Sequence, residues 1–430
     1  MRSSSEYNTM KYHFVDSADE FGLRVGGRRM KARMLLVLAV CTSLLAVMIA
    51  MPAAQAGKGP KWMELIYLVA DNNLDVYAGA HHEPVVEDDF RELMSVGSTN
   101  QVAVYVFVDR WTGPANLFKV HKGWMEEIKS FNLNGKEANM GDPATLRSFV
   151  KFTMKAERPE HTLLMFWDHG SPQMIAYDDN AGTEQGWDML THNEVLEALS
   201  GIHVDVIGAD ECLVGQLDVA YQYHMGGLST EYLLVSETYT GWRGYPYDWT
   251  LRELVANPDM TPREVAIMFI KQVQALLSQP PYMGEEVNCH AAINLSMVGL
   301  LGSSVIGIGE LLAEDMVSNL GAVSKARGGA CFSYGANAMN IIDLKTFIEL
   351  ISKNTKDGAV KAACDQALRY FDCTVIALQT TNALDTQISG LGILFPNHSW
   401  ETPSYYWGYA FPQAGWMDFL QAYWSAAGSA

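Results

Sequence analysis

Two apolar runs of strand length, each ending in reactive side chains, constrain this chain more than anything else in it. Residues 204–220 read VDVIGADECLVGQLDVA. The opening VDVIGA is strand-like, two acids and Cys212 follow, and Leu213, Leu217 and Ala220 then share one helical face. Residues 162–170, TLLMFWDHG, form a second such run and end in Asp168, His169 and Gly170. Between the two lies THNEVLEAL, in which Thr191 and Glu194 form the capping box of a short helix. Strand, helix and strand make a right-handed crossover, so the two strands are parallel neighbours. His169 and Cys212 then leave the same edge of the sheet, where an open α/β sheet presents its chemistry. A lone cysteine there is commonly a small buried hydrophobe, and a lone histidine a structural residue. At matched strand ends the two become a nucleophile and its base. Placed in the first turn of the following helix, Cys212 gains from the helix dipole, an effect that Asp210 and Glu211 oppose.

The rest of the chain supports the same architecture. Strands are predicted at 65–70, 102–108 and 232–236, and the run 102–108 (VAVYVFV) is apolar on both faces, as a buried parallel strand is. Helices are predicted at 85–96 and from Asp142–Pro143 to 156, with a hairpin over 116–133. Beyond Tyr247, helices are expected at 250–256 and 261–277, the second capped by Thr261, Pro262 and Glu264. Pro280–Pro281 breaks the chain. Strands are expected at 291–295, 374–379 and 391–395, helices at 300–320 and 343–352, and an aromatic tail from His398 that packs on the domain.

Residues 30–56 carry basic side chains, an apolar stretch and the cleavage-site pattern Ala54-Gln55-Ala56, which predicts a secretory signal and a secreted or cell-surface protein. A membrane is a partner only if this segment stays as an uncleaved anchor. Residues 1–56 hold 7 of the 30 basic and 4 of the 49 acidic side chains, which leaves a formal charge of −22 on the remainder. Nucleic acid and anionic membrane surfaces are therefore poor partners, whereas basic peptides are attracted. Export would permit two disulfides among Cys289, Cys331, Cys364 and Cys373, with three connectivities open. His81-His82-Glu83, with Asp88 and Asp89 nearby, offers metal ligands, but adjacent histidines do not easily face one ion. There is no G-x-S-x-G, no H-E-x-x-H and no P-loop.

Taken together, HG after the first run, D-x-C-L-x-G at 210–215 and SGLGILFP at 389–396 resemble the clostripain-like cysteine peptidases, relatives of caspases, legumains and gingipains. The resemblance runs from WMELIYLVADNNLD (62–75) through YLLVSETYTGWRGYPYDWTLREL (232–254) to the SGLGILFP segment. It implies an α/β fold with a caspase-like parallel-sheet core, helices on both faces and a C-terminal α/β extension. With the signal ending at 56 and the break at Pro280–Pro281, the chain divides into residues 1–56 (extension and signal), 57–280 (catalytic domain) and 281–430 (a subdomain completing the peptidase unit). The resemblance implies an endopeptidase that cleaves peptides or proteins after Arg or Lys, with Cys212 as nucleophile and His169 as acid and base. Gly170 and Cys212 would supply oxyanion N–H groups, Asp210 would pair with the basic P1 side chain, and Ser236 and Glu237 would line the same pocket. No cofactor is required by these residues, although the resemblance makes Ca²⁺ an expected ligand. One departure is Glu211, where the family usually has a small residue. That carboxylate beside the thiol favours an alternative, a catalytically silent relative that serves as a surface binding module.

Overall fold

The computed structural model describes residues 59–76, 85–131, 137–241, 243–280, 289–331, 340–380 and 388–428. The predicted signal at 30–56 and the His81-His82-Glu83 group lie outside these residues.

Strand β1 (Trp62–Ala70) is buried along its whole length. Met63, Leu65, Tyr67 and Val69 enter one hydrophobic core, and Trp62, Ile66, Leu68 and Ala70 enter another. A period of two feeding two cores means that both faces of the sheet are covered. On one side β1 pairs in parallel with β2 (Val102–Arg110), which continues antiparallel into β3 (Asn116–His121) and β4 (Trp124–Glu127). On the other side β5 (His161–Trp167) is parallel to β1 and to β8 (Val206–Asp210), and β8 is parallel to β9 (Tyr232–Val235). The antiparallel strands β10 (Cys289–Asn294) and β12 (Val375–Thr380) complete a nine-stranded sheet of order β12-β10-β9-β8-β5-β1-β2-β3-β4, while β6 (Met174–Asp178) and β7 (Asp188–Thr191) pair antiparallel outside it. The sheet thus continues across residue 280. The chain builds outward from β1 to β2 in one direction and returns to β5 on the other side, so a topological switch lies between β1 and β5.

The Trp62 face is covered by α1 (Val85–Val96), α5 (Tyr247–Ala256) and α6 (Pro262–Leu277). The Met63 face is covered by α2 (Pro143–Glu157), α3 (His192–Ala198), α4 (Leu217–Met225) and α7 (Leu295–Glu314). The same core continues outward from α7 into α8 (Met316–Ala330), α9 (Leu344–Asn354), α10 (Gly358–Thr374) and α11 (Met417–Ala427). The capping boxes at Thr191/Glu194 and Thr261/Glu264 form, and the Asp142 side chain accepts from the Ala144 N–H ahead of α2. In the aromatic tail, Trp416 and Trp424 are buried and donate to the Leu394 and Pro396 carbonyls, whereas Trp400 and Trp407 stay exposed.

Both of the last two predicted strands form, β12 in the main sheet and β13 (Gly392–Leu394) paired with β11 (Ile341–Asp343). Two expectations need correction. The helix foreseen over 300–320 is two, α7 and α8, divided at Asp315, whose carboxylate accepts from the Ser318 N–H. Among the described residues no disulfide forms: Cys212, Cys289, Cys331, Cys364 and Cys373 are all free. Cys364 and Cys373 stand on one helix, α10, about 13 Å apart along its axis, beyond a disulfide's reach.

Candidate active site

The register of two parallel strands brings the reactive residues together. Trp167, at the end of β5, pairs with Asp210, at the end of β8. Two residues past each partner lie His169 and Cys212, so equal offsets from one rung deliver both to the same edge. They line one cavity of about 130 Å³ beside the switch between β1 and β5. That is near the size that holds a single benzene-sized group.

His169 is oriented from β1. Its Nε2 lies 2.7 Å from Asn73 Oδ1, in the turn that leaves β1. An acceptor on Nε2 fixes the proton there and leaves Nδ1 as the basic nitrogen of the neutral ring. Burial lowers the His169 pKa, opposed by the charge of Asp179. Neighbouring bonds hold the loop. Asn72 Nδ2 donates to Asp168 Oδ1 at 2.6 Å, and the Tyr177 N–H donates to the other oxygen. His192, wholly buried, bonds the Tyr223 hydroxyl at 2.7 Å and the Ser171 carbonyl at 3.0 Å, and burial takes it down to about 4.

Cys212 is not in a helix. Helix α4 starts five residues later, at Leu217, and the helix dipole expected to favour the thiolate is absent from the first turn after β8. The chain is diverted because Leu213 adopts a left-handed φ of 63° and donates its N–H to the Thr238 carbonyl, while Gly215 donates to the Ser236 carbonyl. Asp210 is accordingly no helix cap. A different donor serves the sulfur: the Thr240 N–H lies 3.3 Å from Cys212 Sγ, with the Thr240 hydroxyl at 3.6 Å. Gly170 is required by close approach. A Cβ there would meet Glu211 Oε2 at 2.6 Å and the Cys212 carbonyl oxygen at 2.8 Å.

The cavity is acidic. Asp210 Oδ2 accepts from the Tyr245 N–H at 3.1 Å and from the Tyr247 hydroxyl at 3.0 Å. Burial pushes Asp210 up to about 6, against those two donors and the Arg243 charge. Gly244, at φ +57°, packs so tightly that a Cβ would lie 2.4 Å from the same oxygen. A second acid, Asp89 of α1, lines the cavity and accepts from Trp167 Nε1 at 2.7 Å. Burial, then the neighbouring Asp210 and Glu92, push it well above the usual carboxylate range. Arg243 pairs with Glu92. The sequence assigns no role to Thr240 or Asn73, and names Asp89 only as a candidate metal ligand beside His81-His82-Glu83. Asn73 had a signal in the turn-rich DNNLD segment, whereas Thr240 had none.

Ser236 and Glu237 do not reach this cavity. Both are wholly buried. Ser236 Oγ donates to the Thr238 carbonyl, and Glu237 Oε2 accepts from the Gly390 and Ser389 N–H groups at 2.7 and 3.2 Å. Glu237 thus ties the β9 end to the segment ahead of β13. Glu211 is also buried, and neither of its carboxyl oxygens has a partner. Burial, then Asp168, Asp210 and Cys212, push it well above the usual range, which favours its uncharged form.

The clostripain family model matches residues 66–388, well over half of the chain. Clostripain of Hathewaya histolytica is 32% identical over 126 residues, which cover 26% of this chain and 24% of clostripain. The match thus spans about a quarter of that relative. A secreted C11 cysteine protease from Bacteroides thetaiotaomicron, solved with an irreversible peptide inhibitor, has 18% identity and a TM-score of 0.60, covering 86% of this chain and 99% of that one. An inactive zymogen C11 protease from Parabacteroides distasonis has 18% identity and a TM-score of 0.62, covering 84% and 99%. These two structures establish a shared fold, and the family match over residues 66–388 makes this chain a member of the clostripain family of cysteine peptidases.

Proposed function

We propose that this chain is a cysteine endopeptidase that cleaves after Arg or Lys through Cys212 and His169. The observation that carries the reading is one acidic cavity lined by thiol, imidazole and three buried carboxylates, Asp89, Asp168 and Asp210. In this reading a P1 guanidinium or ammonium enters beside Asp210, whose carboxylate gains a charge-assisted partner. Cys212 Sγ, steadied by the Thr240 N–H, attacks the scissile carbonyl carbon while Nδ1 of His169 takes the thiol proton. The N–H groups of Gly170 and Cys212 receive the oxyanion. His169 returns its proton to the leaving amine, and water then cleaves the thioester. The basic, apolar and small-residue pattern of residues 30–56 supports export, and the Bacteroides relative is described as secreted.

The silent-module reading rested on Glu211 as a charge beside the thiol. Its burial without partners disfavours the charged form, which weakens that repulsion. Labelling with a Lys- or Arg-directed acyloxymethyl ketone tests the proposal. Wild type should be labelled at Cys212 and Cys212→Ala should not. Failure of the folded wild type to label would favour the silent reading.

A further inference from the structure

A short ladder of backbone hydrogen bonds ends on the reactive sulfur. The Gly215 N–H donates to the Ser236 carbonyl at 2.6 Å, and the Leu213 N–H to the Thr238 carbonyl at 2.8 Å. Each step moves two residues back on one segment and two forward on the other, the spacing of an antiparallel pair. One step further, the Thr240 N–H is turned to Cys212 Sγ at 3.3 Å, and the Thr240 hydroxyl lies 3.6 Å from the same atom. The ladder is held firmly. Gly215 packs so closely that a Cβ would lie 2.6 Å from the Ser236 carbonyl carbon. Glu237, between the two rungs, accepts from the Ser389 and Gly390 N–H groups, and its own carbonyl accepts from Gln216 Nε2 at 3.2 Å. Backbone bonds thus carry Thr240 to the sulfur, and both residues line the cavity.

We propose that Thr240 is a third catalytic residue, whose hydroxyl joins its N–H in a two-donor clamp that stabilises the Cys212 thiolate. In the neutral pair either the thiol or the hydroxyl can donate to the other. Once the thiol proton has passed to His169 Nδ1, the sulfur has nothing left to donate, and the hydroxyl becomes the donor. Thr240 keeps its own proton throughout. The neighbourhood explains why the sulfur needs such donors. Asp210 and Glu211 precede Cys212 directly, and α4 begins only at Leu217, so no helix dipole offsets them. Hydrogen bonds to an anion are stronger than those between neutral groups, so the clamp tightens as charge develops on the sulfur. The same charge returns when water cleaves the thioester and the thiolate leaves, and the same two donors receive it. The effect on turnover rests on the peptidase reading, whereas the effect on the thiol's acidity does not.

The pH dependence of alkylation by iodoacetamide reads the thiol directly in the full chain. Mass spectrometry of the Cys212 peptide separates it from Cys331 and Cys373, which are also free. Thr240→Val keeps the shape and the N–H and removes only the hydroxyl. It should raise the alkylation midpoint by about 1 pH unit. On an Arg reporter it should lower kcat about tenfold, with KM within about threefold of wild type. Thr240→Ser restores the donor and should return both quantities to the wild-type values. Thr240→Ala should shift the midpoint as Thr240→Val does, and it decides the matter if the Val variant melts early. In a His169→Ala background the Thr240→Val shift should persist, because the hydroxyl acts on the sulfur and not through the imidazole. An unchanged midpoint in the Val and Ala variants, an equal shift in Thr240→Ser, or loss of the shift in His169→Ala would overturn the clamp. If the midpoints move as expected but folded wild type cleaves no Arg or Lys reporter, the clamp on the thiolate stands and the peptidase reading fails.

Discussion

Replacing Asp210 by Asn gives the sharpest test of how the cavity selects its substrate. Asn keeps the shape and an acceptor for the Tyr245 N–H and the Tyr247 hydroxyl, so the wall should stay in place. What is lost is the charge opposite a P1 cation, and the new amide points a donor at it. Removing one partner of a buried charge pair costs about 3–5 kcal/mol. Asp89 lines the same cavity and recovers part of that, because a bound cation favours its ionised form. The expected loss is therefore about 3 kcal/mol, roughly 10²-fold in kcat/KM for an Arg reporter. The matched citrulline reporter should change less than about fivefold. The pH profile supplies a second reading. The Asp210 pKa is raised to about 6, so the carboxylate carries its charge only above that pH. For wild type, the Arg-to-citrulline preference should collapse as pH falls through about 6, and Asp210→Asn should show a flat preference across the same range. Steady-state kinetics of both reporters between pH 5 and 8 decide the matter. Equal losses on the two reporters, or an unchanged pH-dependent preference in Asp210→Asn, would refute the assignment and leave Asp210 a structural residue.

Asn73→Ala should lower kcat by about 10²-fold with KM within a few fold, because His169 loses its orienting acceptor. Asn73→Asp, which retains an acceptor oxygen, should recover much of the loss; equal damage in both variants would exclude a positioning role. Glu211→Gln should leave activity at pH 7 within about threefold, since Gln mimics a protonated acid, whereas a large gain in Cys212 alkylation rate would mean that Glu211 is ionised. The stretch 170–212 contains no Lys and no Arg, so an enzyme that demands a basic P1 should stay one chain across it. Intact mass and N-terminal sequencing, compared with Cys212→Ala, check this; a Cys212-dependent cut there would refute the basic P1 preference.

The sequence alone determined the features that depend on local spacing. Apolar runs of strand length between capped helices specify a parallel α/β sheet, and the crossover rule makes β5 and β8 neighbours. Once they are neighbours, the count of two residues beyond each strand end brings His169 and Cys212 to one edge. The capping boxes at Thr191 and Thr261 were legible for the same reason, because their partners lie three residues away. Only the tertiary structure decided which distant side chains complete the site. Asn73 reaches His169 across 96 positions, and Asp89 reaches Trp167 across 78. No periodicity encodes such contacts. The turn after β8 was misread as the start of a helix because its left-handed Leu213 is imposed by the Thr238 carbonyl, 25 residues on. Glu237 looked like a pocket residue from its position in the chain, yet it binds the backbone at Ser389 and Gly390. Hydrogen-bond partners tell the buried acids apart: the sequence counts equal charges, while the fold leaves Asp210 beside hydrogen-bond donors and Glu211 without partners. Their differing electrostatics follow from that placement.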